Sequence, residues 1–375
     1  MSQPIPFIDL QAQRRRLVAP LEAAIKQAVE GGQWILGPQV AQFERDIAQW
    51  AGVKHAIACA NGTDALLLVL RAWGVGPGDA VFVPAFTFAA SAEVVALAGA
   101  VPVFVDVLPD TFNMDPVSLE TAIAMVRKNG DLTAKAVMPV DLFGQPADYR
   151  SLAPIAHRSG LKLLCDTAQG FGALMDGKRA GAIGDAAATS FFPAKPLGCY
   201  GDGGACFTND DDLKNKLLSL RMHGQGSDRY EHVAIGLNSR LDTIQAAILI
   251  EKLKIFEDEI DKRNAVARRY NAAFAGSNRI KTPLVIDGAV STWAQYTLQV
   301  ANRNLFQSRL KEVGVPTAVH YPIPLSRQPA YAHYPGVPTP VSEALSGQVV
   351  SLPMHPYLDE ATQDRIIAAV LAAVG

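Results

Sequence analysis

The chain has 375 residues, of which 49% are hydrophobic and 19% charged, so a large core can form and intrinsic disorder is excluded. Thirty-four Lys and Arg against thirty-six Asp and Glu leave a formal charge of -2, which gives no electrostatic basis for holding nucleic acid or an anionic membrane. The longest wholly apolar run, Ile366–Val374, is nine residues, about half of the ~18 needed to span a bilayer, and Met1-Ser-Gln-Pro-Ile-Pro6 shows no secretion leader, so a cytoplasmic protein is expected.

Pro38 opens a helical pattern that places Val40, Phe43, Ile47 and Trp50 on one face, and Gly52 closes it. His55–Cys59 reads as a short buried strand, followed by the turn Asn61-Gly62-Thr63-Asp64 and a helix over Ala65–Trp73. Strand-like runs recur at Ala80–Val83, Val101–Val107, Ala136–Val140, Leu161–Cys165 and Ala205–Thr208. The intervening patterns Ser91–Ala98, Pro116–Lys128 and Tyr149–His157 are helical. Such alternation predicts an α/β sheet covered by helices. After Thr208 it fades. A helical stretch from about Leu241 to Phe274 is longer than most single helices, which predicts a kink or a domain crossing. Beyond it come a strand at Tyr296–Val300, a helix at Leu305–Val313, a proline-rich stretch from Pro316 to Pro340 and a terminal helix. The division expected is a large α/β domain over 1–250 and a small α+β domain over 251–375, packed as one unit.

Cysteine and histidine contribute little. None of Cys59, Cys165, Cys199 and Cys206 forms a C-x-x-C pair, and buried reduced thiols are expected. The seven histidines lack any metal-ligand spacing, so no metal is indicated.

Three features carry chemistry. Asp166 ends the run Leu161–Cys165, and the carboxyl ends of strands are where open α/β sheets bind ligands. On its own it reads better as a helix-cap or turn aspartate. Lys195 follows the strand-like run ending at Pro193, in apolar and glycine-rich surroundings. Desolvation there would supply the neutral amine needed to attack a carbonyl, although a lone lysine in a loop is commonly a surface residue. The turn at Gly62 and Thr63 can present backbone N–H groups to an anion at a helix start, or be an ordinary cap formed by Thr63 or Asp64. Neither G-x-x-x-x-G-K-[ST] nor a strand-borne G-x-G-x-x-G occurs, which disfavours ATP and dinucleotides. A reactive lysine, a strand-end acid and a phosphate turn are the parts that pyridoxal phosphate (PLP) requires.

Five blocks are carried in order: Asn61-Gly62-Thr63, Asp166-x-x-Gln169, Ser190-Phe-Phe-Pro-x-Lys195, Asn238-Ser-Arg240-Leu-Asp242 and Val319-His-Tyr-Pro322. Together with Phe7-Ile-Asp-Leu10 and Ser351-Leu-Pro-Met-His355, they resemble the DegT/DnrJ/EryC1/StrS family of sugar-nucleotide aminotransferases. The wording of 191–200, 238–248 and 316–325 is most similar to members acting on UDP-2-acetamido-2-deoxy-3-oxo-D-glucuronate. The resemblance implies an aspartate-aminotransferase-type (fold type I) large domain with a smaller C-terminal domain, in a homodimer with shared active sites. It implies Lys195 as the covalent anchor of PLP, Asp166 against the pyridinium nitrogen, Gln169 near the phenolic oxygen and Phe86 on the ring face. Gly62, Thr63 and Ser190 would cup the phosphate, completed by Asn238 from the neighbouring subunit. His320 and Tyr321 would reach the sugar nucleotide, and Arg240 would hold a carboxylate or phosphate, with a structural salt bridge as its alternative.

The reaction so implied moves an amino group from glutamate, leaving 2-oxoglutarate, to a UDP-linked keto-sugar used in surface polysaccharide (O-antigen) assembly. Rivals are an aminotransferase for 3-keto or 4-keto 6-deoxy sugars, a PLP-dependent lyase or dehydratase, and a PLP-binding regulator without turnover. Relatives that dehydrate carry histidine in place of the lysine, and this chain keeps Lys195.

Overall fold

The computed structural model describes residues 4–228 and 230–374. Seven strands form the central sheet in the order 55–59, 204–208, 186–190, 162–166, 133–137, 79–84 and 101–105. Strand 204–208 is antiparallel to both of its neighbours, and the other recorded pairings are parallel. Six strands therefore point their carboxyl ends at one edge of the sheet, and the strand that runs backwards begins there.

Alternating side chains explain why both faces are covered. Ala56, Ala58, Ala80 and Phe82 face the layer formed by helices 38–51, 116–129, 149–158 and 243–253. Ile57, Cys59, Val81 and Val83 face helices 62–72, 90–97 and 211–220. A separate apolar cluster joins Val266, Tyr270 and Phe274 to Leu298, Val350, Leu352, Ile366 and Val370 around the two-stranded pair 296–299 and 349–352. Ile5 belongs to this last cluster, so the start of the chain packs against its C-terminal part.

Most predicted elements lie within a few residues of their observed limits. The helix over 38–51 has Pro38 at its first turn and a left-handed Gly52 after it, as the punctuation requires. The stretch read as 241–274 is two helices, 243–253 and 256–274, broken at Lys254-Ile255. Where the alternation fades, a helix at 211–220 is nevertheless present, capped by Asp210. The phosphate turn needs a correction: the helix begins at Gly62 rather than Ala65, and Asn61, not Thr63 or Asp64, is its cap, accepting from the Asp64 N–H at 2.8 Å. All four cysteines are buried free thiols. No helix among the described residues is long and apolar enough to cross a membrane.

Candidate active site

Four strand ends meet at the carboxyl edge. Asp166 is the last residue of its strand and is 5% exposed. One carboxylate oxygen accepts from the Ala168 N–H at 3.1 Å and the other from the Ser91 hydroxyl at 3.2 Å. Burial raises its pKa, opposed by the Ala168 N–H, the charge of Lys195 and Ser91. A buried carboxyl in this state favours a cationic partner, the property required beside a pyridinium nitrogen.

Lys195 stands on the loop that leaves strand 186–190. That loop is closed on itself by the Phe191 N–H to Gly203 carbonyl bond at 2.7 Å and the Cys199 N–H to Phe191 carbonyl bond at 2.8 Å. Burial lowers the pKa of Lys195, with Asp166 pulling the other way. The amine is thus shifted toward the neutral, nucleophilic form.

Gln169 is oriented by its surroundings. Its side-chain oxygen accepts from the Phe143 N–H at 2.7 Å, leaving the amide nitrogen to donate to the Tyr321 hydroxyl at 3.1 Å. Tyr321 is held with its phenol pushed up to about 12, chiefly by burial, and it remains a hydrogen-bonding group at neutral pH. His320 lies close enough to feel Lys195: burial first, then the lysine charge, lowers its pKa. Phe86 is 1% exposed in a cluster with Val140, Phe143 and, at its margin, Tyr321. Its ring meets Phe143 edge-on at 6.4 Å.

The anion cup lies beside this group. Among the described residues, the N–H groups of Gly62 and Thr63 at the helix start have no acceptor, the arrangement that favours an anion. A Cβ on Gly62 would stand 2.6 Å from the Ser190 Cβ, and one on Gly204 would collide with the Asn61 carbonyl. Glycine at both positions keeps the cradle open. The Ser190 oxygen accepts from the Phe192 N–H at 3.2 Å, which leaves its hydroxyl hydrogen available. These features fit a phosphate-bearing pyridine cofactor: an anion cup, a buried acid and a desolvated lysine.

Asn238 is exposed, but its neighbour Ser239 is buried and accepts from the Ala60 N–H at 3.2 Å, just before the cup. Arg240 is half-buried, has no carboxylate partner among the described residues, and its nearest polar contact is the Met222 sulfur at 3.9 Å. The recorded contacts join Lys195, Asp166, Gln169, His320 and Tyr321, but they do not link Arg240 to that group. An open cavity of about 620 Å³ near Arg279, Gln299, Phe306 and Arg309 shares no residue with the Lys195 cluster.

Sequence reasoning did not find Ser91, Phe143 or Lys252. Lys252 is 1% exposed and donates to the Gly198 carbonyl at 2.6 Å, tying down the loop that carries Lys195. A signal for it exists: a lysine three and four residues after Leu249 and Ile248 falls on the apolar stripe of its helix.

A parallel-edge sheet bearing a desolvated lysine, a buried acid and a phosphate cradle defines the class of PLP-dependent enzymes of fold type I. The family model for DegT/DnrJ/EryC1/StrS aminotransferases matches residues 17–371, and the chain belongs to that family. It is a PLP-dependent sugar-nucleotide aminotransferase. It is 50% identical over 366 residues, 98% of this chain and 99% of the relative, to a UDP-2-acetamido-2-deoxy-3-oxo-D-glucuronate aminotransferase of Pseudomonas aeruginosa. A DegT/DnrJ/EryC1/StrS aminotransferase from Brucella abortus superposes with a TM-score of 0.97 at 53% identity, covering 99% of this chain and 100% of that one. NtdA of Bacillus subtilis, solved with bound cofactor PMP, gives a TM-score of 0.90 at 29% identity, covering 100% and 86%.

Proposed function

We propose that this enzyme transfers the amino group of glutamate to the 3-keto group of UDP-2-acetamido-2-deoxy-3-oxo-glucuronate, in the cytoplasm, for surface polysaccharide (O-antigen) synthesis. The observation that carries the reaction is the pairing of a desolvated Lys195 with a buried Asp166 beside an open anion cup. The substrate reading rests on the likeness to the Pseudomonas enzyme and on an arginine with no internal acid to neutralise it.

In this reading Gly62, Thr63 and Ser190 hold the cofactor phosphate, Phe86 covers one ring face and Gln169 donates near the phenolic oxygen. When bound, PLP supplies an electron sink for the pair left at the donor's α-carbon. Asp166 holds a proton on the ring nitrogen. Lys195, once free of its covalent attachment, takes the α-proton at its neutral Nζ and so serves as anchor and as general base. The enzyme works as a homodimer, with Asn238 completing the phosphate cup of the neighbouring subunit. Its exposure in the single chain supports that role.

A uronate brings a carboxylate that an enclosed site must pair, and Arg240 assisted by His320 is its proposed partner. The test is release of 2-oxoglutarate from glutamate with a panel of UDP-linked keto-sugars. The 3-oxo-glucuronate should be the preferred acceptor. Arg240→Ala should lose on the order of 1.5–3 kcal/mol in kcat/KM for it, the scale of a charge-assisted hydrogen bond, while a 6-deoxy analogue barely changes. Equal losses on both would assign Arg240 to the diphosphate or to the fold.

A further inference from the structure

Behind the loop that carries Lys195 lies a second polar site. A small cavity of about 20 Å³ is lined by Asp9, Gln13, Lys195, Arg263, His355 and Tyr357, among others. Four segments distant in sequence meet there: the start of the chain, the Pro193–Pro196 turn, the helix 256–274 and the stretch after strand 349–352.

Polar groups around it are unevenly served. Gln13 donates to both oxygens of Glu259, at 3.0 and 2.9 Å, and the Tyr357 hydroxyl also donates to Glu259. Arg263 is 5% exposed and gives one terminal nitrogen to the Trp293 carbonyl at 3.0 Å, but its Nε has no partner among the described residues. His355 is 2% exposed, and neither ring nitrogen has one among the described residues. The Pro6 carbonyl acts on the imidazole as a backbone acceptor. Native interiors rarely leave three such atoms unmet on one small space. The volume exceeds the ~10–15 Å³ that a cavity needs to admit one water.

We propose that this cavity is a built hydration site, in which one water bridges His355 and Arg263 and braces the turn bearing Lys195. His355 is thereby a positioning residue for that lysine. The donor and acceptor count matches. Burial, reinforced by Arg263, holds the imidazole down at about 4, so at neutral pH it is uncharged and keeps one lone pair and one N–H. The water accepts from the Arg263 Nε–H and donates to that lone pair. Its remaining valences serve the turn, where Pro193 and Pro196 supply no N–H of their own.

The positioning role rests on Lys195 being the cofactor's anchor, whereas the hydration site does not, so the two are tested by separate readouts. A high-resolution crystal structure of the PLP-loaded enzyme should show one solvent peak within ~2.7–3.2 Å of a His355 nitrogen and the Arg263 Nε. An empty cavity, or a direct His355–Pro6 bond with no peak, overturns the site. His355→Phe fills the space and removes both polar nitrogens. It should lower kcat several-fold at unchanged KM for both substrates and move the pH midpoint of the bound cofactor's visible band. His355→Asn, which keeps a donor and an acceptor, should restore both. A folded, cofactor-loaded Phe variant with unchanged midpoint and kcat overturns the positioning role. If that variant does not fold, the solvent peak and the Asn variant's band midpoint decide.

Discussion

Two lysines in this fold are withdrawn from water, and they differ in what their nitrogens do. Lys252 donates to the Gly198 carbonyl at 2.6 Å and lies over the Tyr200 ring at 4.2 Å. Burial brings its pKa down to about 8. Lys195 is lowered by the same cause, but the charge that opposes the shift is Asp166, itself buried at a strand end. Desolvation is therefore common to both lysines and cannot by itself mark the reactive one. An uncommitted amine facing an acid at the carboxyl edge of the sheet makes that distinction. The first lysine secures the loop on which the second stands.

The sharpest way to break this comparison is to delete each amine in turn. Lys195→Ala should lose on the order of 10²–10⁴-fold in kcat, the range for removing a general acid–base group. Lys252→Met should retain most of the activity, because it touches the loop's anchorage and not its reacting nitrogen. Steady-state rates on glutamate and the preferred keto-sugar check both. Comparable losses would erase the distinction between the two lysines.

Asp166→Asn keeps the shape and the contacts to Ala168 and Ser91 but removes the charge. A loss of about 10–150-fold in kcat/KM is expected, the equivalent of one charge-assisted hydrogen bond. A pyridine proton that is no longer held should also alter the absorbance of the bound cofactor.

Lys252 carries a pH signature of its own. Its folded-state value, about 8, lies below the ~10.4 of an unfolded lysine, so the native state gives up its proton first. Folding stability should rise with pH between those values relative to Lys252→Met, by on the order of 3 kcal/mol in total. Urea unfolding of the two proteins from pH 7 to 10.5 measures it. A constant difference would mean that Lys252 is not desolvated as described. Smallest of all, Tyr321→Phe removes only the bond to Gln169 and should cost about 0.5–1.5 kcal/mol in kcat/KM.

What could be read from the sequence follows from what is local. Pro38 and Gly52 announce a helix because each fixes a backbone angle where it stands. The positions of Asp166 at a strand end and of Gln169 and Lys195 on the loops after strands are legible because such positions are local features, and the fold gathers them at one edge. The start of the helix at 62 was misplaced because Asn61 can cap as well as Thr63, and only the folded turn selects between them. Ser91 and Phe143 stand 75 and 26 residues from Asp166 and Gln169, and His355 shares a cavity with Gln13, Lys195 and Arg263, in no pattern that periodicity can show. Crossovers and chain ends bring them together. Arg240 shows the opposite limit, since its block is legible but its partner is not within the chain's recorded contacts.

The central claim is that Lys195, of the two desolvated lysines, is the one that carries the cofactor. Borohydride reduction of the PLP-loaded enzyme, followed by proteolysis and mass spectrometry, tests it most directly. The account predicts a single phosphopyridoxyl-modified peptide containing Lys195, with Lys252 unmodified. Modification at Lys252 or at any other lysine, or fully loaded protein with no modified peptide, would contradict it.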